Sequence, residues 1–164
     1  MMYRIPEFEY VKARSLAEAL ELLDKLEGAK PLAGGTDLLV DVKIGRFKPR
    51  YVVDIGGLKE LKYLRDTGES LEIGALTTIQ EILDSPLVEQ KARLLWLAAR
   101  EFAYWQVRNM ATIGGNLCNA SPAADMAPPL LVYEALLKIA SSRGERLVPI
   151  TEFFLGPRQT VLQK

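Results

Sequence analysis

Two glycine pairs, each with a threonine close by, constrain this chain of 164 residues more than any other feature. The first pair lies in residues 32–37, Leu-Ala-Gly-Gly-Thr-Asp, between a strand-like run and a helix-like run. The second lies in residues 111–116, Ala-Thr-Ile-Gly-Gly-Asn, where residues 111–115 are predicted to form a strand that runs into a turn. Glycine reaches positive φ and lets a backbone approach a neighbour or a ligand closely. Each pair therefore predicts a sharp turn after a strand.

Such turns are candidate anion sites because successive backbone N–H groups can point into one concave surface. Thr36 and Thr112 could add hydroxyl donors, and two facing turns could hold both halves of a pyrophosphate without Lys or Arg. A purely structural turn is the alternative for each pair. Neither segment matches the dinucleotide fingerprint or the P-loop, so the pattern alone leaves both interpretations open.

The first third of the chain reads as β-α-β-α-β. Ser15 and Glu18 form a capping-box pattern at the start of an apolar helical face. Strand-like runs occupy residues 8–11, 30–33 and 51–54, and a helix is expected over residues 37–44.

Hairpins and helices dominate the remainder. Hairpins are predicted over residues 63–73 and 136–150, and the longest helix over residues 87–102. Shorter helices are expected to open at Ser121 and Thr151. The whole chain is therefore predicted to be an α+β protein, with a small β-α-β lobe over about residues 1–54. The larger lobe, about residues 55–164, is expected to combine an antiparallel sheet with helices.

The chain has no histidine and one cysteine, Cys118. Ser-His-Asp and Cys-His catalysis, histidine-ligated metals, internal disulfides and iron–sulfur clusters are therefore excluded within it. We predict no catalytic residue and no metal site, and we expect a bound cofactor to carry any difficult chemistry.

Charge and hydropathy exclude other classes. The 21 basic and 21 acidic side chains cancel, so nothing attracts nucleic acid or an anionic membrane. No apolar run approaches the roughly 20 residues that span a bilayer, and residues 1–10 lack a signal-peptide core. We expect a cytoplasmic protein with no nucleic-acid partner and no membrane span.

Other polar and aromatic candidates lie near the second glycine pair. Asp125 could accept hydrogen bonds from ribityl or ribose hydroxyls, although a favourable acid in a first helical turn is the alternative. Phe102 could stack on a flavin or adenine ring, although core packing is the commoner role of an aromatic at a helix end.

These segments, in this order, resemble the FAD-binding subunit of the xanthine dehydrogenase and aerobic carbon monoxide dehydrogenase family. The resemblance is carried by residues 31–39 (PLAGGTDLL), 53–55 (VDI), 71–77 (LEIGALT), 108–125 (RNMATIGGNLCNASPAAD) and 160–162 (TVL). It covers essentially the whole chain and implies a two-lobed flavin domain with FAD extended between the lobes. The resemblance implies that family members continue into a further C-terminal domain, and we expect that domain to lie outside residues 1–164.

The resemblance also implies which residues bind FAD. The two glycine segments would wrap the pyrophosphate and the nearby ribityl chain, while Asn119 and Asp125 would bind polar groups. Phe102 would lie in the flavin environment and Leu162 would touch the cofactor. The full implied set is Leu32, Ala33, Gly34, Gly35, Thr36, Asp37, Phe102, Ala111, Thr112, Ile113, Gly114, Gly115, Asn116, Asn119, Asp125 and Leu162.

The implied role is electron transfer within an oxidoreductase. A molybdenum-cofactor large subunit would hydroxylate substrate, and an iron–sulfur small subunit would relay electrons to FAD. The FAD would pass them to NAD, quinone or oxygen. A non-catalytic, FAD-free interaction domain of the same fold is the alternative.

Overall fold

A computed structural model describes residues 5–162 of the chain. Its first part is a three-stranded parallel sheet in the order β1-β3-β2, with a helix after each of the first two strands. The elements are β1 Glu9–Lys12, α1 Leu16–Lys25, β2 Lys30–Leu32, α2 Leu38–Lys43 and β3 Tyr51–Asp54.

The predicted β-α-β-α-β order is present because local signals and burial agree. The Ser15 side chain accepts a hydrogen bond from the Glu18 N–H at 3.1 Å and so caps α1. Central strand β3 buries Val52 and Val53 completely, as expected for the middle strand of a parallel sheet. All three strands end at one edge of the sheet, and the first glycine segment follows β2 there.

Antiparallel strand pairs and short helices make up the rest of the chain. The pairs are β4–β5, β6–β7 and β8–β9. In chain order the elements are β4 Leu64–Asp66, β5 Leu71–Ile73, α3 Ile79–Leu83, α4 Pro86–Lys91, α5 Arg93–Glu101, α6 Trp105–Arg108, α7 Ile113–Asn119, α8 Ala127–Val132, β6 Leu136–Ser141, β7 Gly144–Pro149, α9 Ile150–Phe153, β8 Phe154–Gly156 and β9 Gln159–Thr160. The α+β fold class is confirmed, with three separate antiparallel ladders in this part of the chain.

The predicted long helix over residues 87–102 is wrong in one respect, because it breaks at Ala92. That residue has φ −137° and ψ 53°, and it separates α4 from α5. Alanine is the best helix former, so nothing local predicts a break here. Tertiary packing overrides propensity, because Val88, Ala92 and Leu95 are all buried in one apolar core.

Two other helix starts also differ from expectation. Ser121 opens a turn, in which its Oγ accepts from the Ala123 N–H at 3.2 Å, and the helix begins only at Ala127. Two prolines then occupy its first turn, where backbone N–H groups have no partner within the helix. The last helix begins at Ile150, directly after Pro149, and Thr151 lies inside it.

Most of the buried apolar residues form two clusters. The smaller cluster packs α1 against the parallel sheet, and its buried members are Ala13, Ala19, Val53, Leu58 and Leu76. Leu58 and Leu76 follow the expected lobe boundary, so segments after residue 54 close this core. The larger cluster centres on the helices and the β6–β7 hairpin. Among residues 5–162, no helix combines the length and apolar character needed to cross a membrane.

Candidate functional site

The two glycine segments are in direct contact through Gly34. A Cβ built on Gly34 would lie 2.6 Å from the Met110 carbonyl carbon and closer still to its oxygen. No real Cβ approaches a backbone so closely, so only glycine allows the first segment to lie against the start of the second. This contact brings together the two segments that sequence analysis singled out.

The first segment leaves its backbone donors free. Within residues 5–162, the N–H groups of Gly34, Gly35, Thr36 and Asp37 donate no hydrogen bond to another residue. Gly35 has φ +74°, a backbone conformation that favours glycine. The neighbouring turn after β3 lies close by, since a Cβ on Gly56 would be 3.5 Å from the Ala33 carbonyl oxygen. Residues 34–37 therefore offer a row of unpaired amide donors at the carboxyl edge of the parallel sheet, where ligands commonly bind in such sheets.

The second segment differs from the prediction. Residues 111–115 do not form a strand that ends in a turn, and Thr112 forms only an isolated bridge with Thr78. Instead Thr112 is the N-cap of α7, and both glycines lie in the first turn of that helix. The Thr112 hydroxyl accepts from the Gly115 N–H at 3.1 Å, which is a standard capping bond.

The backbone donors of the second segment are already used inside the protein. The N–H groups of Ile113 and Gly114 donate to the carbonyl oxygens of Thr77 and Ala75, at 3.0 and 2.9 Å. The N–H groups of Gly115 and Asn116 both donate to Thr112, the latter to its carbonyl oxygen at 3.0 Å. A concave amide site at residues 113–116 is therefore not present.

Close packing explains why Gly114 is glycine. A Cβ on Gly114 would lie 2.7 Å from the Ala75 carbonyl oxygen and 2.8 Å from the Ala75 Cβ. The same neighbouring segment is anchored by Thr77, whose hydroxyl donates to the Tyr63 carbonyl oxygen at 2.9 Å. The second glycine pair therefore lets α7 begin against residues 75–77, and its role is to fit two protein segments together.

Asp37 follows the free amides and has an unusual environment. The residue as a whole is exposed, yet its carboxyl group is partly shielded from water. That burial raises its pKa above the ordinary 3.8, the Asp41 carboxylate raises the pKa further, and Arg158 opposes the shift. Asp37 makes no side-chain capping bond to α2. The carboxylate is therefore less favoured here than in water.

Sequence analysis missed a charged network next to this segment. Asp41, on α2, is only 3% exposed, and its two carboxylate oxygens pair with Arg46 and with Arg158. The Arg158 Nη1 group also donates to the Asn119 Oδ1 at 3.3 Å. Arg158 lies 117 residues from Asp41 in the chain, so no local periodicity could have indicated the pair. The network joins the helix after the first glycine segment to the end of the helix that holds the second.

Two predicted polar residues lie near the end of α7. The Asn116 Oδ1 accepts from the Met126 N–H at 3.3 Å and so orders the chain that follows α7. Asp125 is exposed, and within residues 5–162 its carboxylate makes no side-chain hydrogen bond or ion pair. Asp125 is therefore available to a ligand, whereas Asn116 has one side-chain oxygen engaged.

The two predicted apolar contacts lie in different surroundings. Phe102 is 8% exposed and belongs to the larger core, and its carbonyl oxygen accepts from the Arg108 Nη1 group at 3.0 Å. Leu162 is 41% exposed and lines a cleft of about 340 Å³ between α1 and the turn of the β6–β7 hairpin. No residue of either glycine segment lines that cleft. The structure thus brings the glycine segments, Asn119 and Arg158 together, and it places Leu162 at a separate opening.

Comparison with known proteins identifies the family of this chain. The family described as "FAD binding domain in molybdopterin dehydrogenase" matches residues 6–164. The glyceraldehyde dehydrogenase medium chain of Sulfolobus acidocaldarius is 42% identical over 97% of this chain and 57% of its own length. A xanthine dehydrogenase FAD-binding subunit of Escherichia coli O157:H7 is 42% identical over 94% of this chain and 53% of its own length.

Solved structures agree with the sequence comparisons. A chain of the carbon monoxide dehydrogenase of Hydrogenophaga pseudoflava, in a form that lacks the Mo-pyranopterin moiety, superposes with a TM-score of 0.95. It is 37% identical, and the match covers 98% of this chain and 56% of that one. A quinoline 2-oxidoreductase of Pseudomonas putida superposes with a TM-score of 0.94 at 31% identity.

The chain therefore spans a little over half the length of these relatives. The family match, in contrast, extends over nearly all of it. The description of this family as an FAD-binding domain confirms FAD as the predicted cofactor. On these grounds the chain belongs to the family of FAD-binding domains of molybdopterin dehydrogenases.

Proposed function

We propose that residues 1–164 form one FAD-binding domain with two lobes, about 1–54 and 55–164, and that FAD lies where the two glycine segments meet. The observation that carries this proposal is the Gly34 contact with Met110, combined with the free amides of residues 34–37. A pyrophosphate is an anion rich in acceptors and needs such donors. The donors here are backbone groups and the Thr36 hydroxyl.

The two segments contribute differently to this site. In the first segment, residues 34–37 supply the N–H donors. Residues 111–116 supply shape, together with the Thr112 hydroxyl, whose hydrogen can still be donated while its oxygen caps α7. Asn119 and Asp125 bind polar groups of the cofactor in this proposal. Phe102 supports the flavin environment from the core, and Leu162 contacts the cofactor from the edge of its cleft.

We propose electron transfer as the role of the domain. Bound FAD supplies redox chemistry, since a flavin can take up electrons and release them one or two at a time. Relatives bear the names of dehydrogenase medium chains and FAD subunits. By analogy, the partners are a molybdenum-cofactor large subunit and an iron–sulfur small subunit, and the acceptor is NAD, quinone or oxygen. The proposed location is the cytoplasm.

A specific observation favours a second candidate, an interaction domain that keeps the fold without FAD. The N–H groups of residues 113–116 donate to other residues, and the cleft of about 340 Å³ lies away from the glycine segments. In this alternative the glycines serve only to pack the segments together. The two candidates differ in whether the free amides of residues 34–37 meet a ligand.

An absorption spectrum of the purified chain separates the two candidates. The protein is mixed with excess FAD, the excess is removed, and the bands between 350 and 500 nm, the usual flavin range, are recorded against protein concentration. Near-stoichiometric flavin that stays with the protein is the expected result. A variant with Thr36→Val is the matched control, because it removes one proposed donor without changing size. A colourless wild-type protein would contradict FAD binding by this chain and would favour the interaction domain.

A further inference from the structure

Arg158 has a backbone conformation that is unusual for a residue other than glycine. It occupies the two-residue turn between β8 and β9, directly after Pro157, with φ +58°. Residues with a Cβ seldom adopt this conformation, and glycine or asparagine usually fills the place. The Arg158 backbone N–H donates to the Ala120 carbonyl oxygen at 2.8 Å. The turn is thereby fixed against the end of α7, with the guanidinium directed to a defined place.

The guanidinium of Arg158 joins two elements that follow the glycine segments. One Nη1 group donates to the buried Asp41 Oδ2 at 2.7 Å and to the Asn119 Oδ1 at 3.3 Å. Asp41 belongs to α2, which follows the first segment, and Asn119 ends α7, which contains the second. Arg46 holds the other Asp41 oxygen, so the carboxylate is a fixed anchor for the arginine.

This contact determines how the Asn119 amide is oriented. A guanidinium has only donors, so the atom of Asn119 that faces it must be the carbonyl oxygen Oδ1. The Nδ2 group is then the outward end of the amide. Within residues 5–162 it makes no hydrogen bond, and no fully buried side-chain polar atom there lacks a partner. Asn119 therefore presents a donor to whatever binds beside it.

We propose that Arg158 is a positioning residue for FAD binding. It locks the Asn119 side chain so that Nδ2 donates to an acceptor oxygen of the cofactor, and it ties α2 to α7 on the two sides of the site. This inference rests on the proposed FAD function and extends it. It assigns Asn119 the role of donor, whereas an unpaired amide could equally accept.

A double-mutant cycle in FAD affinity tests the inference. Asn119→Asp keeps an acceptor for Arg158 but removes the donor, so the protein stays folded while FAD binds at least 10-fold more weakly, the loss expected for one hydrogen bond to a charged group. Arg158→Met frees the amide and is expected to weaken FAD binding by a similar factor. In the Asn119→Asp background, Arg158→Met should cost little further affinity, because no donor remains to be oriented.

Stability measurements separate positioning from a purely structural role. Urea midpoints should fall for Arg158→Met in both backgrounds, because Asp41 loses one of its two partners in each. Arg158→Lys should recover part of the stability, since it restores a charge next to Asp41, but little of the affinity, because it lacks the planar guanidinium. Arg65→Met is the matched control, as it removes an arginine that pairs with Glu72 across the β4–β5 hairpin. It should leave FAD affinity unchanged.

The outcomes separate the positioning role of Arg158 from the proposed FAD function. If wild-type protein binds FAD and Arg158→Met weakens binding equally in both backgrounds, or in neither, the positioning role is wrong and the FAD function stands. If Asn119→Asp binds FAD as tightly as wild type, Asn119 is not a donor. If the wild-type protein binds no FAD at all, the proposed function and this inference both fail.

Discussion

The first and second glycine segments are alike in sequence but have different roles in the fold. The N–H groups of residues 34–37, which follow the parallel strand β2, donate to no other residue within the described chain. Residues 111–116 open a helix, and the N–H groups of residues 113–116 are all paired inside the protein. A Gly-Gly-polar motif therefore does not by itself identify an anion site. Such a segment can bind an anion only if its N–H groups do not already donate to another part of the chain.

The largest expected effect is at the contact between the segments. Gly34→Ala would force a methyl group into the Met110 carbonyl, and both partners are backbone atoms that cannot rotate away. We expect a loss of about 3 kcal/mol in the free energy of unfolding, with FAD binding abolished. Urea denaturation and a flavin absorption spectrum measure the two effects.

Gly28→Ala is the control for the Gly34 substitution. Gly28 has φ +75° but nothing within 4 Å of its ideal Cβ, so only backbone strain of about 1 kcal/mol is expected. If the two variants were equally stable, the close contact between the glycine segments would be disproved.

Gly114→Ala tests the packing role of the second segment. The new methyl group would lie 2.7 Å from the Ala75 carbonyl oxygen, which also accepts the Gly114 N–H. Overpacking costs up to about 3 kcal/mol, and the better helix propensity of alanine returns about 1, so a net loss of about 2 kcal/mol is expected. The measurement is again the urea midpoint. Unchanged stability would show that α7 does not begin tightly against residues 75–77.

Two threonine variants should differ in their effect on stability. Thr112→Ala removes the cap of α7 and should cost about 1 kcal/mol of stability. Thr36 makes no hydrogen bond within the described chain, so Thr36→Ala should leave stability unchanged and weaken FAD binding by about 10-fold. Thr→Ser at each position keeps the hydroxyl and serves as the control. If Thr112→Ala and Thr36→Ala had equal effects on both stability and FAD affinity, the two segments would not differ in role.

The smallest expected effect is the pH dependence that Asp37 contributes. Its pKa is raised in the folded state by burial and by the Asp41 carboxylate, so the folded protein holds this proton more tightly than the unfolded chain. This contribution therefore favours folding at low pH and is lost as pH rises from the ordinary value of 3.8 through the raised folded pKa.

Asp37→Asn should remove that contribution. The difference in unfolding free energy between wild type and Asp37→Asn is measured from pH 3 to 7 by urea denaturation, a range chosen to span the titration of an aspartate. The unfolding free energy of the wild type, relative to that of Asp37→Asn, should fall as the pH increases. A pH-independent difference would show that folding does not raise the pKa of Asp37.

The fold was predictable where local signals and tertiary packing agree. The Ser15 cap, the three strands of the parallel sheet and the β6–β7 hairpin all follow from patterns within a few residues. Prediction failed where long-range contacts override propensity. Helix α7 carries two glycines, which cost about 2 kcal/mol relative to alanine, and Ile113 favours strands. It is helical because Thr112 caps it and because residues 75–77 accept its N–H groups.

The site was predictable in part for the same reason. Both glycine segments were identified from sequence, and the resemblance that they carry led to the correct family and cofactor. Met110 and Arg158 were missed, since each acts through a contact with a distant part of the chain. Pro157-Arg158 gave no local signal, because a proline followed by a residue other than glycine is common in type I turns, and the positive φ of Arg158 is visible only in the structure.

Sequence by itself determined the family, because residues 31–39 and 108–125 carry the resemblance and the family model matches residues 6–164. It also indicated the β-α-β-α-β order of the first third, because helix and strand patterns are local. Only the tertiary structure decided which amides stay free, which glycine serves packing, and that Arg158 reaches Asp41 across 117 residues. Hydrogen bonds and steric contacts act over a few ångströms in space, whatever the distance along the chain, and local sequence patterns cannot record them.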